Sequence, residues 1–276
     1  MLRKILVVLL IGVIGAGIIL YMKQPAETMT MGEYEAMPHI DVTLDMFNIT
    51  IANSPDDQIH VQMQGHQLNK NMLTINEKNN RFVVKEQQRK KNWQENIRFR
   101  STPTIILQLP KSQSKTLALN VADGDFTIQD LALDTVQVET SAGMVHLKNM
   151  FISNAELHTK DGNVTIGKSA IENLTITSNA GDVAVKESTG SAHTIQTVDG
   201  QIKMTEATEQ PNIQTKSASG DIGIHYKKAP TSLRLTTIAE DVEITLPKYH
   251  KKTGMIGDGA NMLSAVTKNG VIVIKQ

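Results

Sequence analysis

The chain has 276 residues, no cysteine, and 28 basic against 28 acidic residues, a formal net charge of zero. The absence of cysteine excludes disulfides, thiolate metal sites and a lipoprotein anchor. The charge balance argues against nucleic acid as a partner.

Met1-Leu2-Arg3-Lys4 precedes Ile5 to Met22, an 18-residue stretch without a charge, and Lys23 follows. As a helix that stretch would reach about 27 Å, close to the hydrocarbon thickness of a bilayer. A cleaved signal peptide usually has a shorter apolar core and a small-x-small cleavage site. An uncleaved single-pass anchor is therefore expected over residues 5–22. Arg3, Lys4 and the amino terminus favour a cytoplasmic N-terminus over residues 1–4 and an extracytoplasmic remainder. Gly12 and Ala16 form a small-x-x-x-small pair that would let two such helices approach.

Residues 23–37, with Pro25, Gly32 and three methionines, read as a linker. Residues 38–111 read as an irregular β segment that caps the array described next. Its expected strands are Ile40–Leu44, Phe47–Ile51, Gln58–Met63, Met72–Ile75, Arg81–Lys85 and Thr104–Leu109. With Asn80 as a turn marker, Leu73, Ile75, Phe82 and Val84 take the apolar places of a coil. Within this segment, Arg89, Lys90, Lys91, Trp93, Arg98 and Arg100 form a basic run holding the only tryptophan. A solvated loop is one reading; a site for anionic wall polymer or lipid head groups is the other.

From residue 112 to 276 a glycine-led motif recurs. Gly124, Gly143, Gly162, Gly181, Gly200 and Gly220 follow one another at 19 or 20 residues; Glu240 holds the seventh place and Gly270 the eighth. The places two and four after and five and seven before each marker are apolar in 30 of 32 cases. Such alternation means half-buried strands either side of a turn. Dipeptides such as Asp123-Gly124, Asp161-Gly162, Asp199-Gly200 and Asn269-Gly270 suggest turns of positive φ. A meander of antiparallel hairpins is the alternative, but a constant period stacks like residues on like. The expectation is an all-β chain: one N-terminal transmembrane helix, then a single-stranded parallel β-solenoid (β-helix) of roughly 19–20-residue coils.

Three residues before the markers, Thr140, Thr159, Ser178, Thr197, Ser217, Thr237 and Thr267 form a hydroxyl ladder, with Val121 the odd member. Recurrence without a fixed base beside them makes these structural rather than catalytic. The turn acids Asp123, Asp125, Asp161, Asp182, Asp199, Asp221 and Asp241 lack the nonapeptide pattern of calcium-binding β-rolls, so turn chemistry is expected. His146, His158, His193 and His225 fall on four different places of the repeat and form no ligand cluster. The loop from Tyr249 to Asn261 reads as an insertion, with a backbone nest for an anion as the alternative. Neither a metal nor a cofactor is expected. A β-helix enzyme acting on polysaccharide is the remaining alternative, since a paired-carboxylate site is geometrically open to such a fold, but it would need cleft-walling loops for which the constant spacing leaves little room.

Leu107-Gln108-Leu109-Pro110, Leu117 through Ile128 and Ser178-Asn179-Ala180-Gly181-Asp182-Val183 resemble the β-strand-repeat "putative adhesin" family over roughly residues 38–276. With one N-terminal anchor, the chain looks most like the LiaG-type proteins encoded beside envelope-stress sensing systems of Gram-positive bacteria. That resemblance implies a cell-surface location, a link to envelope stress and no catalytic residues. Two roles remain: a module that lays a flat strand face on wall polymer, and an accessory protein docking to membrane-embedded signalling partners. The candidate face is the outer side of the strand after each marker, with His146, Lys148, Lys186, Lys203, His225 and Lys275.

Overall fold

The computed structural model describes residues 26–87, 102–111 and 113–276. The expected anchor at 5–22 lies outside them. Among the described residues no helix is long and apolar enough to cross a membrane.

In chain order the strands are β1 (Glu27–Glu35), β2 (His39–Leu44), β3 (Asn48–Asn53), β4 (Gln58–Gly65), β5 (Leu73–Lys78), β6 (Arg81–Glu86) and β7 (Thr104–Leu109). The regular coils follow as pairs either side of a marker. They are β8 (Thr116–Val121) with β9 (Phe126–Gln129), β10 (Ala132–Thr140) with β11 (Val145–Lys148), and β12 (Phe151–Thr159) with β13 (Val164–Gly167). Next come β14 (Ala170–Ala180) with β15 (Val183–Lys186), β16 (Ala192–Asp199) with β17 (Ile202–Ala207), and β18 (Asn212–Ser219) with β19 (Ile222–Tyr226). The chain ends with β20 (Leu233–Ile238), β21 (Asp241–Thr245), β22 (Met255–Ile256), β23 (Asn261–Asn269) and β24 (Val271–Lys275).

Strands before the markers form one 12-stranded sheet, the leading sheet; strands after them form a second 12-stranded sheet, the trailing sheet. Pairing in the regular coils is parallel and in the register of the repeat. Val136 faces Leu117 on one side and Ala155 on the other, and Val145 faces Phe126 and Val164. This is the solenoid, not the meander. At about 4.8 Å per strand the two sheets run for roughly 50 Å. The apolar rows of both sheets meet in one continuous core, which no single coil could bury alone.

The recurrent glycine has a cause other than the expected one. Gly124, Gly162, Gly200 and Gly270, which follow Asp or Asn, are not at positive φ; Gly143, Gly181 and Gly220 are, at 110°, 136° and 157°. What all share is a close approach. A Cβ on Gly143 would lie 2.4 Å from the Gly124 carbonyl oxygen, one on Gly162 2.0 Å from that of Gly143, and one on Gly200 2.2 Å from that of Gly181. Each turn presses its carbonyl against the next glycine, so any side chain there would force the coils apart.

The two ends depart from simple stacking. β23 and β24 lie between β18 and β19 on one side and β20 and β21 on the other, so the last coil in sequence is the penultimate one in space. The 30-residue step before Gly270 is the length needed to run past the Glu240 coil and return beneath it. In the leading sheet that outer coil also slips by two residues, since Leu235 rather than Leu233 faces Leu263. The N-terminal end mirrors this inversion: β2 and β3 stack directly on β8 and β9, while β6 and β7 lie outside them.

Two N-terminal expectations change. The stretch expected as a linker contains β1, which pairs antiparallel with β4 at the edge of the trailing sheet. Asn79 and Asn80, both at positive φ, turn β5 back on β6 as an antiparallel hairpin within the leading sheet. Leu73, Ile75, Phe82 and Val84 therefore belong to one sheet, not to two sides of a coil. A hairpin of this kind covers the edge that an open parallel sheet would leave exposed.

Candidate binding faces

Inside the turns, four members of the hydroxyl ladder, Thr140, Thr159, Ser217 and Thr267, bond backbone carbonyls, while the buried hydroxyls of Ser178 and Thr197 have no partner among the described residues. Thr140 Oγ1 donates to the Ala142 carbonyl at 2.9 Å, Ser217 Oγ to that of Gly200 at 3.1 Å and Thr267 Oγ1 to that of Gly220 at 2.8 Å. These hydroxyls serve turn carbonyls and have no base beside them. Outside the turns, Asp125 accepts the Met144 amide at 2.7 Å, Asp182 that of Gln201 at 2.8 Å and Asp221 that of Val271 at 2.8 Å. Their carboxylates tie each coil to the next, which is turn chemistry. Among the described residues no three His, Asp or Glu side chains converge as a metal site would require.

His193 occupies an apolar place between Leu174 and Ile213 and is fully buried. Its Nε2 lies 3.0 Å from the Ile171 carbonyl oxygen, while Nδ1 has no partner. Burial holds its pKa below the ordinary imidazole value, against the opposing pull of that carbonyl and of Glu172. The sign of the linkage follows. The stability it contributes is complete above the unfolded value of about 6.5 and is lost as pH falls through the depressed folded value. A His193→Leu variant is expected to keep a level thermal midpoint between neutral and mildly acidic pH where the parent declines. Parallel declines would show that another group titrates.

The two ends are fastened by carboxylates that the sequence did not mark. Glu86 Oε2 accepts the amides of Asp45, Met46 and Phe47 at 2.8, 2.9 and 3.1 Å. Glu209 accepts the Thr231 and Ser232 amides at 2.9 and 2.7 Å, with Asn261 Nδ2 at 3.1 Å. Each glutamate ties an inverted end coil to its neighbours.

The candidate face assembles as the alternation requires. Lys148 and Lys186 occupy one outward row of the trailing sheet with Gly167 between them, so their Cα atoms stand roughly 10 Å apart. Lys203 lies in the other outward row between Ala184 and Gly223. His146, half-buried, sits between Thr127 and Thr165, and His225 faces Lys275. Among the described residues Lys148, Lys186 and Lys203 enter no ion pair, and the space beside them is open, since a Cβ on Gly167 or Gly223 would meet nothing within 4 Å. In the order of the sheet, the outward rows between turn and corner hold no Asp or Glu from β9 through β19 to β24, and the first carboxylate beyond them is Glu243 of β21, which faces Val273 in the row of Lys203. The basic run Arg89, Lys90, Lys91, Trp93, Arg98 and Arg100 lies outside the described residues, between β6 and β7.

The leading sheet has a different outer face. A concavity of about 490 Å³ there is lined by residues that include Asp41, Glu139, Glu156 and His158. Its carboxylates are met locally: Arg81 bonds Asp41 at 2.6 Å, Asn120 donates to Glu139 at 3.3 Å and His158 lies 2.9 Å from Glu156.

Residues 37–275 match the Toastrack DUF4097 family. A "putative adhesin" from Bacteroides fragilis shares the fold at a TM-score of 0.56 and 16% identity, over 92% of this chain and 97% of that one. A "putative lipid binding protein" from Parabacteroides distasonis gives 0.54 at 12% identity, over 91% and 98%. At these identities the likeness is one of fold. No functionally curated protein matches the chain.

Proposed function

The chain belongs to the Toastrack DUF4097 family, and we propose that it is a membrane-tethered binding module of the bacterial cell envelope whose trailing sheet lies against an anionic wall polymer. The observation that carries this reading is the outer face with Lys148, Lys186, Lys203 and Lys275, whose partners on the adjoining strands are Gln129, Gly167, Thr205, Ala184, Gly223, His225 and Thr245 rather than carboxylates. A flat face with rows of fixed cations suits a long polyphosphate better than a small ligand, because charge adds along the polymer. The adhesin and lipid-binding descriptions of the two structural neighbours lend support as a class. In the LiaG-type arrangement the apolar segment at 5–22 anchors the N-terminal end. Met22 lies five residues before Glu27, a reach of about 17 Å. The β1 edge would then sit near the bilayer and the outermost Glu240 coil would project outward by roughly 50 Å.

The test is titration of the full-length chain, in nanodiscs of zwitterionic lipid, with poly(glycerol phosphate) across a salt series. Binding should weaken with salt. Replacing Lys148, Lys186 and Lys203 together with glutamine should lower affinity by roughly a hundredfold, at about 1 kcal/mol per lysine. An unchanged affinity in the triple variant would remove this face from the mechanism.

A further inference from the structure

At the corner where each trailing strand passes to the next leading strand, the solenoid has a third face. Phe151 opens β12 there and is 61% exposed, whereas Phe47, Phe82, Phe126 and Tyr226 are buried and Tyr34 and Tyr249 pack against the core. Among the described residues it is the aromatic ring left mainly to solvent. Burial of apolar surface would favour the opposite. Parallel register places Ala132 on one side of it and Ala170 on the other, and a methyl group is too short to cover the ring.

Two residues further along the same three strands come Asp134, Ser153 and Glu172. These and the Ala132–Phe151–Ala170 row line one concavity of about 610 Å³, with Lys111 and Lys115 also contributing. Strand geometry sets the Cα atoms of Asp134 and Glu172 roughly 10 Å apart, with that of Phe151 roughly 7 Å along the strand from the line between them, and Glu172 keeps one oxygen beyond the one that accepts the Ser191 hydroxyl. An apolar platform bordered by acceptors and donors of nearly balanced charge narrows the occupant. Anionic lipid or nucleic acid would bring phosphates against Asp134 and Glu172. A second copy meeting this face two-fold would oppose carboxylate to carboxylate. A neutral pyranose offers a C–H face for the ring and hydroxyls that donate to carboxylates and accept from lysines.

We infer that this corner is a saccharide subsite, in which one ring of a neutral glycan chain stacks on Phe151 and its hydroxyls donate to Asp134 and Glu172. The subsite is separate from the lysine face and does not depend on it.

The experiment is calorimetric titration of the full-length chain in nanodiscs with chitotetraose and, separately, maltotetraose. At least one is expected to bind. Phe151→Ala should weaken that binding by about tenfold or more, since loss of a stacking partner is worth 1 kcal/mol or above. Phe151→Trp should retain it, and Asp134→Asn with Glu172→Gln should reduce it several-fold. The triple lysine variant should bind these sugars as the parent does, which separates failure of this subsite from failure of the polymer face. Because Phe151 is exposed, its variants should keep the parent thermal midpoint. The inference is overturned if neither sugar binds, or if Phe151→Ala binds as well as the parent. A Phe151→Ala variant that changes the particle mass by light scattering instead overturns it in favour of a contact between copies.

Discussion

A Gly162→Ala variant is expected to lose about 3 kcal/mol of stability, the upper end of what overpacking costs. The substitution adds one methyl group, but its Cβ would lie 2.0 Å from the Gly143 carbonyl oxygen and 2.9 Å from Thr159 Oγ1. Neither neighbour can retreat cheaply. The Gly143 carbonyl is fixed by its own coil, and Thr159 Oγ1 accepts the Gly162 amide at 2.9 Å. Gly162 is not at positive φ, so alanine's backbone preference is no obstacle and the cost isolates the contact between coils. In a chain of this size the thermal midpoint should fall by roughly 10 °C. Hydrogen exchange should show protection lost first in the strands flanking residues 143 and 162. Gly167→Ala is the matched control. A Cβ there meets nothing within 4 Å, and alanine lowers the conformational entropy of the unfolded chain, so that variant should be neutral or slightly stabilised. Equal stability of the two variants would disprove the carbonyl approach as the reason for the glycine ladder.

Loss of the Glu209 carboxylate should have the second largest effect. The inverted end requires the chain to leave β19, build the outer coil at β20 and β21, and return beneath it as β23 and β24. Glu209 fixes the start of both excursions, through Thr231 and Ser232 before β20 and through Asn261 at the head of β23. Burial alone would raise its pKa. The Thr231 and Ser232 amides, with the Asn261 and Thr231 side chains, outweigh that and hold it below the usual glutamate value. Its stabilisation is therefore present above the ordinary value near 4.3 and is lost as pH falls through the depressed folded one. Glu209→Ala should cost about 2 kcal/mol at neutral pH after allowance for water reaching the freed amides. The loss should be concentrated in exchange protection of β20 to β24, and part of the parent's acid sensitivity should disappear with it. If protection falls evenly along the solenoid, the carboxylate is not what fastens the end.

Much of the architecture is legible in the sequence, because a stacked array writes each contact many times. Val136, Val145 and their equivalents recur at fixed places, and parallel pairing of equal coils is the arrangement that sets every one of them against its own kind. That the basic residues at 148, 186 and 203 share a face followed from the same alternation. Composition likewise excluded disulfides and thiolate sites. Tertiary structure alone decided whatever happens once rather than repeatedly. Gly270 and its coil slide beneath the Glu240 coil through register partners 50 residues away on one side and 28 to 30 away on the other, and no local pattern records that order. Leu73 and Phe82 matched the coil places by spacing, but the positive φ of Asn79 and Asn80 folded them into a hairpin. Asp-Gly pairs correctly marked the turns and misattributed the glycine, since its true constraint is an oxygen atom in the preceding coil. Glu86, Glu209 and Phe151 looked like ordinary surface residues in the sequence. Their roles arise from partners supplied by other coils, and a partner at that distance leaves its mark in space rather than in the neighbouring letters.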